Sequence, residues 1–325
     1  MEQPCSGSCL RSCDRERTRR GVVYNGFQLL ISKRPRGWIS LALALSPVLL
    51  VIVPLFLGGL LLAAAGSLGF FPATGESAFT LRHYTSLGSD KEFGYSLLMS
   101  FLLATVSTLL SAAAGLWLSI SLRNVALRSR ILQVFLQTPI AIPHLAMAVV
   151  LINFISPSGL IARVAFAAGL IHAPAGFPVL VNDRFGLGIV LAYVLKESPF
   201  VAVMTLALLA RTGRDYEAVA QTLGASARQR LRYVTLPLVA PAAISASLIV
   251  FAFTFGAFDV PFILGRQYPA MLGVVAQRRY LSMDLADRPE AIAIAVLMTA
   301  ITALLTWMYL KVAHAAVGVE RPTIF

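Results

Sequence analysis

The stretch Arg214-Asp215-Tyr216-Glu217-Ala218-Val219-Ala220-Gln221-Thr222-Leu223-Gly224 runs on through Ala225-Ser226-Ala227-Arg228 and closes with Thr235-Leu236-Pro237-Leu238-Val239-Ala240-Pro241. It is a charged, helix-forming loop set between long apolar segments. Asp215 can cap a short helix whose apolar face is Tyr216, Val219, Ala220 and Leu223, at helical spacing. Gly224 can end that helix, because a left-handed cap costs glycine little. Ser226 with Gln229 fits a capping box, which starts a second helix that Pro237 limits. On this reading Arg214, Glu217 and Gln221 face away from the apolar stripe and stay available to a partner. An amphipathic hairpin lying on the bilayer surface satisfies the same spacing, so spacing alone leaves both readings open.

The segments around this loop are those of a membrane protein. Of 325 residues, 58% are hydrophobic and only 13% charged, and the mean hydropathy is +0.77. These values exclude an ordinary soluble domain. Runs 37–75, 93–122, 131–162 and 291–310 contain no Asp, Glu, Lys or Arg; 185–210 is interrupted only by Lys196 and Glu197, and 233–265 only by Asp259. A helix needs about 20 apolar residues to cross the hydrocarbon layer. The expectation is therefore an all-α polytopic protein with six spans, near 39–64, 94–121, 132–155, 187–210, 241–265 and 290–312. The partly apolar connection 156–186, with Leu160, Ile161, Val164 and Phe166, reads as a short helix along the interface.

Charge placement sets the orientation. Eighteen Lys and Arg fall in segments 1–36, 122–131, 211–240 and from 311 onward, against eight in the alternate loops. The bias puts both termini and the Glu217 loop in the cytoplasm. The net charge of +12 reflects this bias and contact with anionic lipid headgroups, not a nucleic-acid partner. Cys5, Cys9 and Cys13 lack nearby residues to complete a four-ligand site, so no metal is expected. The apolar run after residue 36 exceeds a signal peptide's hydrophobic region and reads as a retained helix.

Several residues inside the spans are candidates for a solute pathway. Lys196 and Glu197 lie near the middle of the fourth span, where a charge must face protein or a wet cavity. As neighbours on a helix they point about 100° apart, and Pro199 beyond them frees the carbonyl of Leu195 and favours a kink. Asp259, between Gly256 and Pro261, sits where the fifth span is locally weakened. Pro139 and Pro143 each release a carbonyl that protein or water must satisfy. His144 reads as a satisfied core histidine, and Asn153 as an interhelical hydrogen bonder. No phosphate-binding loop, zinc-protease helix or serine elbow is present, so the chain carries no catalytic residues and its energy must come from elsewhere.

The loop resembles the cytoplasmic "EAA" loop of the membrane subunits of binding-protein-dependent ABC importers. The matching residues are Glu217, Ala218, Gly224, Leu236 and Pro237, with Ala225 following the glycine and Val219 where a second alanine is usual. Phe79-Thr80-Leu81-Arg82-His83-Tyr84 is similar to the segment that precedes the core of this permease family. The resemblance implies a fold like the methionine and maltose importer membrane subunits. It divides the chain into a basic tail (1–36), a peripheral first helix with its outer loop (37–78), a five-helix permease core (79–312) containing coupling loop 211–240, and a cytoplasmic tail (313–325). It implies an ATPase dimer carrying ATP and Mg2+, a second permease subunit of the same or a paralogous chain, and an extracytoplasmic solute-binding protein. It also implies that Asp215, Glu217, Ala218 and Ala225 belong to the ATPase-docking segment, with Glu217 making charged contacts on the ATPase. Gly224 would set the bend, and Leu236-Pro237 would link the loop to the fifth span. Segments 196–200 and 256–261 look most like the spermidine/putrescine-type branch, which implies a polyamine or similar small solute. The alternative class is an ion-coupled secondary transporter using Lys196, Glu197 and Asp259.

Overall fold

The structure, a computed structural model, describes residues 37–71, 75–126, 129–173, 176–210 and 214–317. The leader with its three cysteines and the tail beyond 317 lie outside the described residues. The chain forms two compact units, one ending at Leu62 and one beginning at Ala63. Among the described residues, six helices are long and apolar enough to cross a membrane: Leu41–Ser67, Lys91–Arg123, His144–Ala167, Leu187–Leu208, Ala227–Gly256 and Asp287–Lys311.

The first unit consists, where described, of the opening part of α1 (Gly37–Ser67), which holds Pro47 and Pro54 within the helix. Pro47 has no N–H for the carbonyl of Leu43, four residues before it. The Ser46 hydroxyl donates to that carbonyl instead, at 2.8 Å, so this proline leaves no bare acceptor in an apolar environment.

The second unit continues with a two-residue ribbon, β1 (Phe70–Phe71) antiparallel to β2 (Glu76–Ser77). There follow α2 (Arg82–Ser89), α3 (Lys91–Ala126), α4 (Arg130–Ala141), α5 (His144–Ile155), α6 (Leu160–Ala167) and α7 (Leu187–Leu208). The chain closes with α8 (Arg214–Thr222), α9 (Ala227–Arg230), a π-helical turn Leu231–Thr235, α10 (Leu236–Gly256), α11 (Asp259–Leu264), α12 (Leu272–Tyr280) and α13 (Asp287–Val317). Helix α7 is the hub and packs on α3, α10 and α4. Its Tyr193, Val201 and Ala202 are fully buried, as are Ala246, Val250 and Phe255 of α10.

Close packing at this hub depends on small residues of α3. A Cβ on Gly115 would lie 2.6 Å from Val201 Cβ and 2.7 Å from the Ser198 carbonyl oxygen, so the two helices approach as they do only because this residue has none. Ser96, Ser100, Ser107, Ser111 and Ser119 of α3 are fully buried. Ser100 accepts from the Leu272 N–H at 2.7 Å and ties α3 to the start of α12.

Two spans depart from the expected outline. The third is not one helix: α4 ends at Ala141 and α5 begins at His144. Pro143 cannot donate to the carbonyl of Pro139, and it holds Ile142 extended at φ −73°, ψ 128°, as a residue before proline prefers. The fifth span extends further back than 241, because Pro237 does not limit the preceding helix. The chain passes through the π turn directly into α10, and the Leu236 N–H bonds the Leu231 carbonyl five residues back. Widening the ladder just before Pro237 relieves the clash between its ring and the carbonyl of Tyr233. Beyond Gly256 that span breaks at Ala257 and resumes as α11. A short helix does form within 156–186, α6, with Leu160, Ile161, Val164 and Phe166 exposed; it falls inside the apolar stretch His144–Ala167.

Candidate functional site

Three polar assemblies stand out from the apolar scaffold. The first is the 214–237 segment. Helix α8 starts at Arg214, so Asp215 lies inside its first turn and is not its cap; there it complements the positive end of the helix dipole. The side chain of Arg214 lies outside the described residues. Gly224 ends the helix at φ +83°, with open space around its Cα, so what the position demands is the left-handed conformation. The Ala225 N–H bonds the Ala220 carbonyl at 3.0 Å, which closes a Schellman cap. Ser226 and Gln229 form the expected capping box.

The stripe on α8 is open. Tyr216 is 58% exposed, Val219 59% and Leu223 82%, and Ala218 and Gln221 are also exposed. Glu217 is the residue whose placement must be corrected, since its carboxylate does not stay available. Its side chain is 17% exposed and pairs with the Arg123 guanidinium at the end of α3. The Thr235 hydroxyl donates to the same oxygen at 2.5 Å. Burial pushes the Glu217 carboxyl up, but Arg123, Thr235 and the nearby positive charge of Arg230 outweigh it and hold it below the ordinary glutamate value. Neither Arg123 nor Thr235 carried a signal in the sequence beyond a basic residue in a short loop and a hydroxyl before a Leu-Pro.

The second assembly surrounds the break between α4 and α5. Lys196 is 5% exposed, and its Nζ donates to the carbonyls of Pro139 at 3.0 Å, Ile140 at 3.4 Å and Ile142. The Pro139 carbonyl is the one Pro143 leaves without a helical donor. An ammonium is well suited to the C-terminal end of a helix, where carbonyls and the negative end of the dipole converge. Glu197 Oε1 lies 2.8 Å from His144 Nε2, and His144, the first residue of α5, stacks on Phe253 at 4.2 Å between centroids. The neighbouring charges of α7 thus engage the two sides of the break. Pro199 is buried, and α7 continues past it to Leu208. Asp259 is exposed at the head of α11; among the described residues it makes no hydrogen bond or ion pair to Lys196 or Glu197. Asn153 donates to the Val149 carbonyl of its own helix at 2.7 Å, not across helices.

The third assembly lies at the other end of α3. Arg279 of α12 pairs with Asp90, which precedes α3, and with Glu290 of α13 at 3.0 Å. It also stands 3.9 Å from Glu92, which Arg278 pairs with directly. The Ser86 hydroxyl of α2 donates to Glu290 at 2.6 Å. Burial raises the Asp90 carboxyl, and its bond to Arg279, the backbone N–H groups of Glu92 and Phe93, and the guanidinium charge bring it below the ordinary aspartate value. The sequence did not disclose this network. Among the described residues, no group of His, Cys, Asp and Glu is arranged to hold a metal ion.

Comparison with known proteins places this architecture. Residues 111–315 match the family model of the binding-protein-dependent transport system inner membrane component. The chain is similar to a probable molybdenum ABC transporter permease of Haloferax volcanii, 28% identical over 272 residues covering 83% of this chain and 90% of that one. It is similar to the molybdenum transport system permease of Mycobacterium tuberculosis, 30% identical over 64% of this chain and 75% of that one. A putative 2-aminoethylphosphonate transport system permease of Salmonella typhimurium is 26% identical over 70% and 78% of the two chains. Among solved structures, a chain of a bacterial alginate ABC transporter, in complex with an alginate pentasaccharide-bound periplasmic protein, superposes with a TM-score of 0.71 at 16% identity. That superposition covers 89% of this chain and 100% of the other. The α8 segment and the spans on either side of it all fall inside the matched region, and the chain belongs to the family of binding-protein-dependent transport system inner membrane components, as a multi-pass, non-catalytic permease subunit of an ABC importer.

Proposed function

We propose that α8 is the surface on which a separate ATPase, carrying ATP and Mg2+, docks and drives this permease. One observation supports the reading above the others. Tyr216, Val219 and Leu223 form a single exposed apolar stripe on a helix whose partly buried carboxylate, Glu217, is anchored within its own chain. Exposed apolar stripes of this kind suit a groove on another protein. The eighteen-to-eight charge bias favours a cytoplasmic position for the stripe and both termini. Docking is then mainly apolar, with Asp215 and Gln221 at its rim.

A second permease subunit, the same chain or a paralogue, completes the pathway, and an extracytoplasmic solute-binding protein supplies the solute. The solved neighbour was captured with its own periplasmic protein. For the solute, a small oxyanion is a better reading than a polyamine. The relatives that support this are named for molybdenum and 2-aminoethylphosphonate.

The docking reading is tested by Val219→Asp combined with Leu223→Asp. The variant should insert in the membrane at wild-type level and no longer co-purify an ATPase. Retention of the ATPase at wild-type stoichiometry would defeat the reading. For the solute, native mass spectrometry of the cognate binding protein should reveal a bound oxyanion; a bound polyamine would reverse that assignment.

A further inference from the structure

We infer that Arg123 is a positioning residue for coupling: through Glu217 it holds α8 and passes the displacement of that helix to α3 as well as to α10. The inference rests on the docking of an ATPase at α8.

Sequence connectivity alone leads from α8 into α9, the π turn and α10. Apart from the ion pair, α8 packs chiefly on that following segment. A push on α8 would therefore reach the fifth span along the backbone, and α3 hardly at all. Arg123 changes this. It stands in the last turn of α3, 94 residues from Glu217 in sequence, and binds the same carboxylate oxygen that Thr235 binds. One oxygen thus joins three elements: the end of α3, the middle of α8 and the root of α10. Thr235 is 1% exposed, and Glu217 is largely covered. The arrangement is therefore unlike a solvated surface pair, whose contribution is small. Partly buried pairs with an added hydrogen bond resist separation, because an abandoned carboxylate there would lie uncompensated.

The far end of the tie reaches the core. Helix α3 packs along both α7 and α10, with Gly115 against Val201. Motion delivered to Arg123 would reach the hub helix α7, which carries Lys196 and Glu197 at the α4–α5 break. The π turn at Leu231–Thr235 is the irregular turn in the backbone route, whereas the Arg123 route bypasses it.

The test uses the whole importer in nanodiscs, with its ATPase present and Cys5, Cys9 and Cys13 replaced by serine. Spin labels at Ser121→Cys and Gln221→Cys, both exposed positions, report the separation of α3 and α8 in MgATP and after vanadate trapping. With Arg123 intact, the distance distribution should remain narrow in both states. Arg123→Gln should broaden it and lower binding-protein-stimulated ATP hydrolysis at least fivefold, while the ATPase still co-purifies. Arg123→Lys should keep part of that activity, and the swap Arg123→Glu with Glu217→Arg should restore the narrow distance. The inference is overturned if Arg123→Gln leaves distance and hydrolysis unchanged, or if the swap fails to restore the distance while both single variants stay assembled. Should the unaltered chain capture no ATPase, the docking reading fails instead; the label distance in the ATPase-free chain still reads the tie.

Discussion

Lys196 Nζ lies 3.0 Å from the carbonyl oxygen of Pro139, the acceptor that Pro143, four residues on, has no N–H to reach. A charge that looks like a transport residue in the sequence is thus bonded to a helix end in the structure. Lys196→Met should lower stability by about 1–3 kcal/mol, the cost of leaving a buried acceptor unbonded. Pro143→Ala supplies the missing backbone donor, so Lys196→Met should cost less in that background. Thermal unfolding of the four proteins in detergent closes the cycle. Strict additivity would show that the lysine and the proline are independent.

Glu217 makes a pH prediction. Its carboxyl is held below the ordinary glutamate value in the folded chain. A depressed folded value means the tie contributes stability above the unfolded pKa of about 4.3 and loses it as pH falls through the folded value. Hydrogen exchange at the amides of 214–235 should therefore stay protected, once corrected for intrinsic rates, from pH 7 to about pH 5 and rise only below that. Release of α8 already at pH 6 would mean that the carboxylate is not held by Arg123 and Thr235.

Gly224 is required for its backbone conformation and not for space. No atom lies within 4 Å of the place a Cβ would occupy, so strain at φ +83° is the whole penalty. Alanine in a left-handed position costs roughly 1–2 kcal/mol, and asparagine tolerates that region better. Gly224→Asn should keep ATPase co-purification within about twofold on that ground, whereas Gly224→Val should lose most of it. Equal behaviour of Asn and Val would remove the conformational explanation.

What was legible in the sequence was local or periodic. The Gly224 cap, the Ser226–Gln229 box and the α8 stripe are set within one or two helical turns, and each has the expected form. The spans were legible because lipid demands long uncharged runs. The partners of the polar residues were not. Lys196 meets carbonyls 54 to 57 residues away, and Arg123 meets Glu217 across 94. Chemical type says that such groups need partners but not which ones. Pro237 misled for a related reason: proline forbids an ordinary α-helical bond, and the chain answers with a π turn where an end was expected.

Arg279 bonds carboxylates at two helix ends. Its side chain is 17% exposed and serves Asp90, Glu290 and, at longer range, Glu92, so it ties the start of α3 to α12 and α13. Arg279→Leu should cost about 2 kcal/mol, the scale of a lost hydrogen bond to a charged group. Arg278→Leu should cost less, because Arg278 is half-exposed and, besides a long bond to the Gln267 carbonyl, serves one carboxylate, that of Glu92. The acid response distinguishes a charge effect from mere loss of packing. The Asp90 carboxyl is held below its ordinary value, so its contribution is present above the unfolded pKa of about 3.9 and is lost as pH falls below it. Unaltered protein should therefore lose more Tm between pH 7 and about pH 3 than Arg279→Leu does, since the variant has already lost the arginine's share of that contribution. An equal loss in both proteins would show that the arginine holds these helices by its hydrocarbon stem and not by its charge.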